Sequence, residues 1–86
     1  MSILLDDYSR TIITTANGKH VCVDTRYVPF PLGNNCYETQ VFRCNTNGNV
    51  VNYINAIDSV TYGNDKIAAD IGHANMINKW MKGVVS

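Results

Sequence analysis

The chain reads as one small α+β domain, an antiparallel sheet of four or five strands packed by a single C-terminal helix. Three observations point there. Two Asn-Gly pairs, Asn17-Gly18 and Asn47-Gly48, each lie between runs of β-branched and aromatic residues, and Asn-Gly supplies the positive φ angles that a tight hairpin turn needs. From about Asn64 to Lys82 the apolar spacing changes to that of a helix. Finally, 86 residues are too few for two hydrophobic cores, so residues 1–86 form one domain.

Taken in order, Thr11 to Thr15 lead into the first turn, and His20 to Tyr27 return as its second strand. Val28 to Cys36 reads as a loop, because Pro29 and Pro31 remove ladder donors and Gly33-Asn34-Asn35 is turn chemistry. Its apolar residues have two uses. The commoner tucks them under the sheet; the other presents Phe30 and Leu32 to a partner. Glu38 to Cys44 lead into the second turn and Val50 to Ile54 return. Alternation puts Phe42 and Cys44 on one face and Thr39, Val41 and Arg43 on the other, leaving open which faces inward. Ala56 to Tyr62 fits either a short last strand or an extended connection.

Asn64 is placed to cap the helix, Asp65 suits its first turn, Lys79 and Lys82 its end, and Gly83 the C′ position. At 100° per residue Ile67, Ile71, Ala74, Ile77 and Met81 share a stripe. That stripe is expected to pack on the sheet, worth several kcal/mol before entropy at ~1.5–3 kcal/mol per side chain. A second stripe, Ala69, His73, Met76 and Trp80, projects elsewhere. Either the sheet and the 28–36 loop wrap the helix unusually far, which a domain this small favours, or another chain covers it. Gly72 costs about 1 kcal/mol relative to Ala in a helix, so with Ala68 it predicts close approach by a strand or second helix.

Composition excludes several functions. Seven cations balance seven anions, so no net positive field tracks phosphates, and direct nucleic-acid binding is not expected despite the five tyrosines. The start, Met1 to Asp7, has no basic residue before its short apolar run, and no stretch approaches the ~20 apolar residues of a membrane span. The expectation is a cytoplasmic protein off the membrane. Cys22, Cys36 and Cys44 are odd in number and lack C-x-x-C spacing, which suits buried free thiols rather than disulfides or zinc. A thiol hydrolase pairing Cys22 or Cys36 with a histidine is a distant third reading. His73 has no ligand partner at helical spacing beyond Asp70, so no metal site is expected. It reads as a helix histidine packed on Trp80 and donating one hydrogen bond, or as a phosphate, carboxylate or pH-responsive contact. Glu38 and Arg43 point to opposite faces of their strand, so Glu38 is expected to meet a cross-strand cation or solvent. Paired-carboxylate spacings and phosphate-binding or nucleophile-elbow motifs do not occur. The chain is read as a non-enzyme without a cofactor.

Tyr37-Glu38-Thr39-Gln40-Val41-Phe42, the Asn47-Gly48 turn, Tyr62, and then Ala68-x-x-x-Gly72-His73-x-x-Met76-x-x-x-Trp80 together resemble a family of short bacteriophage and prophage proteins. The family form is E-T-M-V-F, a hairpin turn, then Y-x-T-x-x-E-A-x-x-G-H-x-x-x-V-x-x-W. The resemblance spans Tyr37 to Trp80, about half the chain. Gln40 stands where the family tends to carry Met, and Asn64-Asp65-Lys66 replaces Thr-x-x-Glu. What it implies is a phage-encoded accessory protein, with no catalytic residue to carry over, that binds a host protein or sequesters a signalling nucleotide. The first expectation is therefore a host-defence inhibitor docking through Phe30, Leu32, Ala69, His73, Met76 and Trp80. The alternative is a homo-oligomer holding a small anionic nucleotide among Arg26, Tyr27, Tyr37 and Arg43, types suited to stacking and bidentate phosphate contact.

Overall fold

Two Asn-Gly turns organise the sheet. The computed structural model describes residues 7–31, 33–50 and 55–82. Its elements are β1 (Asp7–Thr14), β2 (His20–Val28), β3 (Cys36–Arg43), β4 (Asp58–Thr61) and α1 (Lys66–Met81). The strands form one antiparallel sheet in the order β1-β2-β3-β4, packed by the helix, as the sequence predicts. Gly18 (φ 84°) and Gly48 (φ 81°) take the left-handed conformation at the two turns. Asn45 Oδ1 accepts from the backbone of Asn47 and Asn49, pinning the second. Of the strand expected over Val50 to Ile54, Val50 bridges Cys44, and residues 51–54 lie outside the described residues. The ambiguous 56–62 segment supplies β4, whose Val60 pairs with Thr39.

Register places Ser9, Thr11 and Ile13 of β1 level with Thr25, Val23 and Val21 of β2, and Thr39 and Val41 of β3 continue the rows. This face carries the helix. Ile13, Val21, Val23, Val41 and Met76 form the core, with Ile77 and Trp80 packed against it. The opposite face is also covered, since Cys22, Asp24 and Phe42 are fully buried there. Thus neither side of β3 is the outside: Val41 and Phe42 are both buried.

The helix departs from expectation in two ways. Asp65, not Asn64, is the N-cap, with extended backbone and a carboxylate that accepts from Ala68 N at 3.0 Å. Lys82 closes the helix through its backbone N–H, and Gly83 lies outside the described residues. More consequentially, the second stripe is the one that packs on the sheet, and of the first only Ile77 joins it against the core. Ala69, His73 and Met76 are buried on the sheet, whereas Ile67 is 72% exposed, Ile71 58% and Met81 51%. The reason is shape and polarity. Ala69 and Gly72 let the helix axis come close, and the sheet beneath offers hydroxyls that a histidine satisfies and an isoleucine would strand. At Gly72 the close neighbour is a side chain and not the expected strand or second helix: a Cβ there would lie 2.2 Å from the Tyr62 ring.

Candidate functional site

The β-branched propensity of strands places threonine at successive helix-facing rows, and His73 of α1 lands among them. Its Nδ1 is 2.7 Å from Thr25 Oγ1, and its Nε2 is 3.0 Å from Thr11 Oγ1 and 3.3 Å from Ser9 Oγ. Thr25 in turn bonds Thr39, to which Tyr62 Oη donates at 3.0 Å. Proton arithmetic orients the chain. With Tyr62 donating to Thr39, Thr39 to Thr25 and Thr25 to Nδ1, the Thr39 and Thr25 hydroxyls each give and accept once, and Nε2–H donates to Thr11 or Ser9. Reversal would make Thr39 accept twice and leave its own proton outside the chain. Burial lowers the His73 pKa below its ordinary value, partly offset by the Asp70 charge. Burial outweighs the Asp70 charge, so the neutral imidazole is favoured. It ties sheet to helix and is poorly equipped as a base.

A second tie joins β4 to the end of α1. Asp58 Oδ2 accepts from Lys79 Nζ at 2.7 Å and Trp80 Nε1 at 3.1 Å, while Oδ1 accepts from Ser59 N at 2.9 Å. Burial works against the charge. The hydrogen bonds from Lys79 and Trp80, the Lys79 charge and the Ser59 N–H outweigh it, so the carboxyl titrates below its usual range. On the far face Asp24, fully buried, pairs with Arg26, and Arg26 is the cross-strand neighbour of Glu38, as expected for a cation facing that residue.

These contacts redistribute the expected site residues. Ala69, His73 and Met76 are covered by the sheet, and half-buried Trp80 is anchored on Asp58. The contact expected from a partner is made internally. Phe30 does the reverse: it is 73% exposed at the loop tip instead of tucked under the sheet. Its N–H donates to Asn35 Oδ1, and Gly33 N donates to Pro29 O, which shape the loop around it. Leu32 lies outside the described residues. Tyr37 N donates to Gly63 O, so this loop and the start of α1 occupy the same end of the sheet. Comparison with family models, curated proteins and solved structures gives no match. What the surface can do therefore follows from its own chemistry.

The four residues of the nucleotide alternative do not converge within one chain. Tyr27 and Tyr37 pack edge-on, centroids 4.9 Å apart, on the helix side. Arg26 alternates to the opposite face, and Arg43 stands six residues along β3 from Tyr37, about 20 Å at strand rise. The two buried thiols are quiet as well. Burial raises the pKa of Cys22 and Cys44 against the pull of Arg10, which suppresses the reactive thiolate. No group of three potential ligands forms a metal site among the described residues, and no described helix is long and apolar enough to cross a membrane. An open groove of about 240 Å³ between β4 and α1, lined by Val60, Tyr62, Gly72, Asn75, Met76 and Lys79, is smaller than ordinary small-molecule sites.

Sequence reasoning missed the Asp58 tie and the buried Asp24–Arg26 pair. The second had a signal, since residues two apart on a strand share a face. The first had none, because Asp58 and Lys79 are brought together only by the helix crossing.

Proposed function

We propose that the chain is a non-catalytic protein-binding module that docks through the outer face of α1, with Phe30 at the same end of the domain. The observation that supports this is the apolar stripe of Ile67, Ile71 and Met81 left outward. Such a face gives the fold nothing and carries an aggregation cost unless it is covered. Exposed Phe30 and Met81 are of residue types enriched at interfaces. A neutral histidine held among hydroxyls, and thiols with raised pKa values, support binding over catalysis.

The narrower form of the proposal comes from the sequence resemblance: a phage-encoded accessory protein that acts in the host cytoplasm and inhibits a defence protein there. Affinity capture from a bacterial host, comparing the native chain with Phe30→Ala and Ile67→Glu, tests both levels. Loss of one and the same retained protein from both variants, with native circular dichroism, supports docking by this surface. Full retention by both variants overturns it, and retention of a protein unrelated to defence removes only the narrower form.

A further inference from the structure

We infer that Asn47 is a site of spontaneous covalent modification, the place where the folded chain first loses a side-chain amide, and that its counterpart Asn17 is held back from the same reaction. The chemistry is intramolecular. The backbone nitrogen of the following residue attacks the Asn side-chain carbonyl carbon, the new C–N bond closes a succinimide ring, and the amide nitrogen leaves as ammonia. Water then opens the ring at either carbonyl, giving aspartate or, with the main chain rerouted through the side chain, isoaspartate. Water is the co-reactant, and nothing is oxidised or reduced. A side chain on the attacking residue obstructs the approach, so glycine is the successor that permits it. Asn17-Gly18 and Asn47-Gly48 are the two Asn-Gly pairs of the chain.

Backbone geometry does not separate the two turns. In each, glycine takes the left-handed conformation, and its N–H donates to the carbonyl three residues back at 2.9 Å, Gly18 to Thr15 and Gly48 to Asn45. Both asparagines are exposed. What differs is the hold on the side chain that must swing. Buried Thr15 donates its hydroxyl to Asn17 Oδ1 and accepts from Lys19 N at 3.2 Å, so Asn17 presents its carbonyl carbon to Gly18 N only after breaking that bond. At the second turn the brace is Asn45, whose Oδ1 accepts from Asn47 N at 3.0 Å and from Asn49 N at 3.1 Å. That brace fixes the backbone and leaves the Asn47 side chain without a hydrogen bond among the described residues. Conversion at Asn47 adds one negative charge to a chain whose formal net charge is zero. The isoaspartate product also lengthens the main chain ahead of Asn49, whose carbonyl accepts from Asn45 N at 3.0 Å; the extra carbon displaces Asn49 from these bonds and loosens the turn that follows β3.

The test is incubation of the full chain in mildly alkaline buffer, folded and in parallel in urea, followed by tryptic peptide mapping. Cleavage after Arg10 and Lys19 isolates Asn17 in peptide 11–19, and cleavage after Arg43 and Lys66 places Asn47 in peptide 44–66; fragmentation then assigns the altered residue. In the folded chain conversion at Asn47 is expected to run about two- to tenfold ahead of Asn17, the factor that one hydrogen bond supplies, with isoaspartate among the products. In urea the two rates converge. Thr15→Val, which removes the restraining hydroxyl with little change in volume, brings Asn17 up to the rate of Asn47 in the folded chain. No conversion in the folded chain, another asparagine ahead of Asn47, equal rates at Asn17 and Asn47, a ratio unchanged by urea, or an Asn17 that stays slow in folded Thr15→Val overturns the inference.

Discussion

Thr25→Val removes one hydroxyl from a fully buried site with almost no change in volume, so it isolates the polar chain from packing. In the native chain that hydroxyl links Thr39 to His73 Nδ1, 2.7 Å away. Its loss leaves an imidazole nitrogen and a threonine hydroxyl without their shared partner in a region closed to water. Each buried polar group deprived of its partner costs about 1–3 kcal/mol, and the apolar γ-methyl returns a fraction of that, so a loss of about 2–4 kcal/mol is expected. For a domain of this size the melting temperature then falls by roughly 8–32 °C. Urea unfolding followed by Trp80 fluorescence measures it, since Trp80 is the sole tryptophan and packs on the core. Thr14→Val, at an exposed threonine bonded to His20, is the control and should stay within about 0.5 kcal/mol. If Thr25→Val matches that control, the hydroxyl chain does not hold sheet and helix together.

Three further outcomes follow. Stability should decline as pH falls from about 7 through 6.5, the ordinary histidine value. The unfolded chain takes up a proton there that folded His73, with its lowered pKa, refuses until lower pH, so the contribution is complete above the unfolded value and lost on the way down to the folded one. His73→Gln should flatten that segment of the profile. Gly72→Ala, which would gain about 1 kcal/mol in an isolated helix, should instead destabilise by about 1–3 kcal/mol because its methyl meets the Tyr62 ring; in a Tyr62→Ala background the helix gain should reappear. Asp58→Ala should cost about 0.5–2 kcal/mol, its pairing with half-exposed Lys79 being screened by solvent, and should red-shift Trp80 emission as the indole loses its acceptor.

The hairpins were legible because Asn-Gly is local chemistry: the turn conformation of Gly18 and Gly48 needs no knowledge of the rest of the chain. The helix extent was legible for the same reason, to within one residue at its cap. Which face it buries was not. Hydropathy ranks Ile67 and Ile71 above Ala69 and His73, but burial here depends on what lies opposite, and Ser9, Thr11, Thr25 and Thr39 become one surface only after three strands pair. The Asp58 tie failed to show for the same reason, since it spans 21 residues and depends on the crossing of α1 over the sheet. Phe30 was misplaced because loop apolarity alone does not reveal that Asn35 and Pro29 close the loop upon themselves.

The claim on which the rest depends is the orientation of α1, and paired urea denaturation of Ile71→Glu and Met76→Glu at low micromolar concentration tests it most directly. With Ile71 outward and Met76 4% exposed, Ile71→Glu should keep native stability within about 1 kcal/mol, whereas a carboxylate at position 76 should cost about 4 kcal/mol or more, enough to unfold a domain of this size. The reverse pattern, a tolerated Met76→Glu and an unfolded Ile71→Glu, would put the isoleucines inside and contradict the account.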